Sequence, residues 1–383
     1  MKISFSKVDC SGRELEYVTR VIQSGWLTTA NMCLEFERKF ADFIGVKYAL
    51  AVNSCTAALH LAVNSIGIKA GDKIFVPVMT FTATAEIIRY LNADPVFLDV
   101  EYKTSLLSPE ILEAGIKKHP NVKAVILVHY AGQSVNMSQI LPICRRHNIK
   151  VIEDAAHAFP TKYSGRYVGS FGNITCYSFY ANKTITSGEG GMIVTENKDT
   201  YESIKCMRLH GINRDIWDRF TTMNKWEYDV IAPGFKYNMS DINAAVGLAQ
   251  FERAEEFRKE RERCAKHYFE ELEQLKELDL PALQCNWHEH SWHLFPIVLT
   301  EESPVSRDEF IKQLNARGIG ISVHYKPLHR MTYYRMQYNL LPENFPNAER
   351  RWQGGISLPI FPLMTNDELF YVTNSIKDIL LNK

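Results

Sequence analysis

The chain is predicted to fold as an α/β protein, with a large domain built on a mostly parallel seven-stranded sheet and a smaller C-terminal α+β domain. Three features carry that expectation. Between about residues 47 and 195, short apolar runs alternate with helical patterns, the rhythm of a parallel sheet buried on both faces. From Val122 to Asp154 an apolar run, a helical stretch over Met137 to His147 and a second apolar run form a βαβ unit, whose crossover should be right-handed. Beyond about Leu278 the rhythm changes, and fewer strands mix with helices.

In order, the candidate strands are Tyr48 to Val52, Lys73 to Pro77, Pro95 to Asp99, Val122 to His129, Lys150 to Glu153, Ile174 to Phe179 and Met192 to Thr195. A long helix is expected from about Ser240 to Leu275. It carries Ile242, Val246, Phe251 and Phe257 on one stripe and dense charge opposite, and should link the domains. The smaller domain then reads as Trp292 to Leu299, a helix near Arg307 to Arg317, Gly318 to Val323, and a last helix from Asn366 to Leu381. A length of 383 residues exceeds one small core, so the division is placed at residues 1–250 and 251–383.

Composition narrows the function. Lys plus Arg and Asp plus Glu both number 44, which gives no basic footprint for nucleic acid and no polybasic strip for a membrane surface. No apolar run approaches a membrane span, and Met1 to Cys10 lack a cationic start and apolar core, so a cytoplasmic protein is expected. The eight cysteines are scattered without Cys-x-x-Cys or zinc-ribbon spacing and read as reduced thiols. Asn-x-Ser/Thr sequons at Asn136, Asn173, Asn182 and Asn238 carry no weight without a secretory signal.

Lys183 lies in Ser178-Phe-Tyr-Ala-Asn-Lys183-Thr-Ile-Thr-Ser-Gly-Glu-Gly-Gly191. A lysine between an upstream serine and a glycine turn suits pyridoxal 5'-phosphate, because an amine attacks the cofactor's carbonyl only when unprotonated, and burial favours that form. On its own a surface lysine before a loop is the simpler explanation, and the other segments change that balance. Asp154 closes the strand Val151-Ile-Glu-Asp, followed by Ala155-Ala-His157. A carboxylate there could keep a pyridine nitrogen protonated and the ring an electron sink, although an aspartate capping a helix is also common after a strand. Asn53-Ser-Cys-Thr-Ala-Ala-Leu-His60 follows a strand and opens a helix, offering the N–H groups of Thr56 and Ala57 to a phosphate, with the Ser178 hydroxyl to help. Plain helix capping is the competing reading. Phe81, just after a strand, could stack on a ring or simply pack in the core. Gly188-Glu-Gly-Gly191 lacks the spacing of a nucleotide loop and reads as a tight turn. His288 and His290 around Glu289, and His324 with His329, lack metal-ligand spacing, so no metal is expected.

Together these segments resemble the DegT/DnrJ family of pyridoxal-phosphate sugar aminotransferases, almost end to end. The landmarks are Ser24-Gly-Trp-Leu-Thr-Thr29, Asn53 to His60, Pro77-Val-Met-Thr-Phe81, Glu153-Asp-Ala-Ala-His157, the Lys183 segment, Gly234-Phe-Lys-Tyr-Asn-Met-Ser-Asp241 and His324-Tyr-Lys-Pro-Leu-His329. The resemblance implies the fold-type I aminotransferase architecture and a homodimer with active sites at the interface. It makes Lys183 the covalent anchor of the cofactor and Asp154 the partner of the pyridine nitrogen. His157 would lie by the ring hydroxyl, Phe81 on the ring, and Thr56, Ala57 and Ser178 at the phosphate. Where the family often reads Gly-aromatic-Asn-Tyr-Arg, this chain has Phe235-Lys-Tyr-Asn238, so either Asn238 or Lys236 could reach the partner's phosphate. Cys55 stands where many members have glycine.

The expected activity moves an amino group from an amino acid, L-glutamate by analogy, to a keto group of a nucleotide-linked sugar. Trp26, Thr28 and His329 are the candidate substrate contacts. Two other readings remain: a related sugar dehydratase, although those relatives replace the lysine with histidine, and a non-catalytic binding or regulatory protein of the same fold.

Overall fold

The computed structural model describes residues 1–213 and 228–381. Helices α1 (Glu14–Ser24) and α2 (Asn31–Ile44) precede the first strand. There follow β1 (Tyr48–Val52), α3 (Cys55–Ser65), β2 (Lys73–Pro77), α4 (Ala83–Tyr90), β3 (Asp94–Leu98), α5 (Pro109–Lys118), β4 (Ala124–Val128), α6 (Met137–Arg146) and β5 (Lys150–Asp154). A small hairpin of β6 (Lys162–Tyr163) and β7 (Arg166–Tyr167) leads into β8 (Ile174–Ser178), β9 (Gly191–Thr195) and α7 (Lys198–Met207). Side-chain caps start four of these helices: Ser54 for α3, Ser108 for α5, Asn136 for α6 and Asn197 for α7.

The seven-stranded sheet has the order β1-β9-β8-β5-β4-β2-β3. Pairings β2·β3, β2·β4, β4·β5 and β5·β8 are parallel, whereas β9 runs antiparallel to both β8 and β1, so the sheet is mostly parallel as expected. Because β9 is reversed, β1 runs the same way as the parallel strands. The carboxyl ends of β1, β2, β4, β5 and β8 therefore share one edge, where ligands of such sheets bind. Alternate residues feed opposite faces: Ala49 and Ala51 pack with α2, while Leu50 and Val52 pack with α3.

The expected long helix is two, Asp241–Glu252 and Ala254–Leu272. Arg253 leaves helical geometry at φ −108°, ψ 9°, and its guanidinium binds Asp9 and Glu256. The run serves two cores: Ala244, Ala245 and Leu248 join the aromatic cluster under α2, whereas Cys264, Tyr268 and Leu272 join the C-terminal core, and one straight helix does not satisfy both. The C-terminal part holds the antiparallel strands β10 (Leu278–Asp279), β11 (Phe295–Leu299) and β12 (Gly355–Leu358), with helices Arg307–Ala316 and Asn366–Leu381. Residues 318–323 form no strand, only the isolated bridges Ile3↔Ile319 and Ser322↔Ser357, and Ile3 is buried in this same core. No described helix is long and apolar enough to cross a membrane.

Candidate active site

A cavity of about 400 Å³ opens at the carboxyl edge of the sheet, a size suited to a small-molecule ligand. Its wall includes Thr56, Phe81, Asp154, His157, Ser178 and Lys183, so six of the residues singled out by sequence converge there. Asp154 is the last residue of β5 and is 5 % exposed. Its Oδ2 accepts the Thr84 hydroxyl at 2.8 Å and its Oδ1 accepts the Ala156 amide at 3.1 Å. Burial pushes its pKa up, opposed by the Thr84 and Ala156 hydrogen bonds and the Lys183 charge. Burial also draws the Lys183 amine down to about 8, against the pull of Cys55 and Asp154. An amine so placed is partly neutral near neutral pH.

At the N-terminus of α3, Ser54 Oγ accepts the Ala57 amide at 3.1 Å, and the Ala58 amide closes the first turn on Ser54. Ala57 is therefore engaged and buried, outside the cavity wall. The amides of Cys55 and Thr56 are those the helix cannot satisfy internally. Ser178, at the end of β8, accepts the Tyr180 amide and keeps its own O–H to donate. Gly191 lets β9 approach this turn: a Cβ there would lie 2.7 Å from the Ser54 carbonyl carbon.

The opposite wall comes from distant sequence. His157 Nδ1 lies 3.2 Å from the Ala131 amide, which can only donate, so the ring proton sits on Nε2 and is given to Tyr325 Oη at 2.7 Å. Burial drives His157 well below the usual histidine range and keeps it neutral. His293 and His324 also line the cavity, and burial brings His324 down to about 4. Phe81 is 58 % exposed at the mouth, its ring 6.1 Å from that of Tyr325.

Other candidates lie elsewhere. Trp26, Thr28 and Asn238 do not line the cavity. Thr29 accepts the Asn238 amide at 2.7 Å and Asp241 binds the Leu27 carbonyl through its own amide, so the Ser24–Thr29 and Gly234–Asp241 landmarks pack together. His329 is fully buried, bonded through Nε2 to Glu349 at 2.5 Å and stacked on Phe345, away from the cavity. Sequence reading gave no role to Thr84, His293, His324 or Tyr325. For Thr84 a signal existed, since Thr80 and Thr84 are four residues apart at a helix start.

The profile of the DegT/DnrJ/EryC1/StrS aminotransferase family matches residues 9–377. The chain is 39 % identical over 369 residues to the spore coat polysaccharide biosynthesis protein SpsC of Bacillus subtilis, covering 96 % of this chain and 94 % of that one. It superposes on PseC of Helicobacter pylori, an aminotransferase of pseudoaminic acid biosynthesis, with a TM-score of 0.92, 27 % identity and 99 % of each chain covered. It superposes equally on a putative sugar aminotransferase, Spr1654 of Streptococcus pneumoniae, in its PLP form: TM-score 0.91, 28 % identity, 99 % of this chain and 98 % of that one. The architecture is thus that of the fold-type I aminotransferases, and the cofactor is pyridoxal phosphate. On sequence and fold together, the chain belongs to the DegT/DnrJ/EryC1/StrS aminotransferase family.

Proposed function

We propose that this aminotransferase moves an amino group from an amino acid, L-glutamate, to the keto group of a nucleotide-linked sugar, yielding an amino sugar nucleotide and a 2-oxo acid. The observation that carries the site assignment is the meeting of Lys183 and Asp154, 29 positions apart in sequence, in one buried cavity at the sheet edge. The donor set suits pyridoxal phosphate. Lys183 would hold it covalently, Asp154 would keep its ring nitrogen protonated, and Thr56 with Ser178 would bind its phosphate. Neutral His157 would lie by its ring hydroxyl and Phe81 against its face, while Ala57 supports the cradle through its bond to Ser54.

When bound, the cofactor supplies an electron sink for the carbon that bears the migrating nitrogen. The chain's own work is to position and move protons. Once the donor's amine displaces it from the cofactor, the freed Lys183 amine would take the proton from that carbon of the donor and return one to the sugar carbon. The Asp154 carboxylate would sustain the ring's electron demand.

A homodimer in the cytoplasm is part of the same proposal, as is a division of the chain near residue 250. Asn238 is engaged at both ends, accepting from Lys236 at 2.6 Å and donating to Thr29, which favours exposed Lys236, with two further ammonium protons, as the group that reaches a second copy. Trp26 and Thr28 would meet substrate at that junction. His329 would act only by fixing the loop after Tyr325. The test is to incubate holoenzyme with L-glutamate and a panel of keto sugar nucleotides. Release of 2-oxoglutarate coupled to an aminated sugar supports the reading, and cofactor binding without either product overturns it.

A further inference from the structure

We propose that Thr84, aimed by Thr80, is a positioning residue for aminotransfer: its hydroxyl holds Asp154 as a carboxylate, so that Asp154 keeps the proton on the cofactor's pyridine nitrogen. The inference rests on the reading of Asp154 given above.

Hydrogen-bond bookkeeping sets the direction. Thr84 Oγ1 lies 2.8 Å from Asp154 Oδ2 and 2.8 Å from Thr80 Oγ1. A hydroxyl has one hydrogen. If Thr84 gives it to the carboxylate, Thr84 must accept from Thr80, and the chain runs Thr80 to Thr84 to Asp154. The Ala156 amide, which can only donate, faces the other carboxylate oxygen, and the Lys183 charge lies on the same side of the balance. Every neighbour therefore favours the charged carboxylate against the cost of its burial. Both threonines are almost wholly buried, at 1 % and 0 % exposure. A buried hydroxyl is costly unless bonded, and valine would fill the same shape, so packing alone gives no reason for threonine at either place. Thr80 lies just before α4 and Thr84 in its first turn, and their hydroxyls meet beside the end of β5.

The test uses holoenzyme loaded with cofactor labelled with ¹⁵N at the ring nitrogen. Its chemical shift reports protonation, and the cofactor dissociation constant is measured alongside. Thr84→Val should move the signal toward the unprotonated position and weaken cofactor binding about tenfold, the scale of a hydrogen bond to a buried charge. Thr84→Ser should restore both. Thr80→Val should give a smaller change in the same direction, and the double variant should be no worse than Thr84→Val, because Thr80 acts through Thr84. If Thr84→Val does not fold, Thr80→Val carries the test by the same readout. A shift unchanged in the valine variants but moved by Asp154→Asn overturns the relay alone. A shift unmoved by Asp154→Asn overturns the reading of Asp154, and the relay with it.

Discussion

The two walls of the cavity are built differently. On the sheet side, where Lys183 lies on the turn between β8 and β9, the other groups stand at the ends of regular elements: Asp154 closes β5, Ser178 closes β8, and Thr56 is in the first turn of α3. Their positions are set by backbone ladders, and neighbouring strands hold them in register. On the facing side, His293, His324 and Tyr325 lie outside the helices and strands and are fixed by side-chain contacts, not backbone ladders, such as Tyr325 with His157 and His324 Nδ1 with Ser357 at 3.0 Å. A site that must hold one cofactor and discriminate among sugars benefits from this division. Strand ends and the turn that joins β8 to β9 carry the proton chemistry, while irregular segments shape the space opposite and are free to vary.

If the division is right, substitutions on the sheet side should strike chemistry and those on the facing side should strike affinity. Lys183→Ala should have the largest effect, a fall in turnover of roughly 10³-fold or more with loss of the lysine-dependent visible band of the holoenzyme, since it removes both anchor and proton carrier. Stopped-flow absorbance and product assay check this together. Asp154→Asn should lower turnover by roughly 10²-fold, on the scale of removing one charge-stabilising group, while the covalent bond to Lys183 persists.

The Lys183 amine gives the sheet side a pH signature. Its pKa in the cofactor-free protein is drawn down to about 8, with Cys55 and Asp154 opposing the shift. Below that value the protonated, unreactive form dominates, and the neutral fraction falls about tenfold per pH unit. The rate at which apo protein captures the cofactor covalently should therefore rise with pH and level off above about 8. At pH 6 it should be roughly a hundredfold slower than on the plateau. Capture followed by absorbance across pH 6 to 9 tests it, and a rate that still climbs about tenfold per unit up to pH 9, with no plateau, would show that the amine is not desolvated as described.

What the sequence disclosed follows the same division. The strands, the mostly parallel sheet and the residues at the strands' carboxyl ends were legible, because short continuous apolar runs and the polar breaks between them mark a strand end within one or two residues, as at Asp154 and Ser178. The resemblance then supplied roles that spacing alone left open. The facing wall was illegible for the opposite reason: nothing local distinguishes His293 or Tyr325 from a packed aromatic residue, and their meeting with His157 depends on contacts 136 and 168 positions apart. His329 shows the error in the other direction. Its place in the His324–His329 segment drew attention, yet the ring is buried away from the cavity, with Nε2 on Glu349 and its face on Phe345. The break at Arg253 was hidden because the apolar stripe continues through it, although the partner of the stripe changes.

The facing wall offers the smallest and most discriminating test. In Tyr325→Phe the ring and its packing against Phe81 and His157 remain, while the His157 Nε2–H loses its acceptor in a buried place. An unmade buried hydrogen bond costs about 1–3 kcal/mol. The imidazole would keep one hydrogen bond, from the Ala131 amide to Nδ1, and its ring packing. Folding stability should fall by that amount in thermal melts. Turnover should drop only about threefold to tenfold, with a larger rise in KM for the sugar substrate and an unchanged visible band, because Lys183 and Asp154 keep their surroundings. A loss of turnover as deep as that of Asp154→Asn, with KM unchanged, would place Tyr325 with the proton chemistry and erase the distinction between the walls.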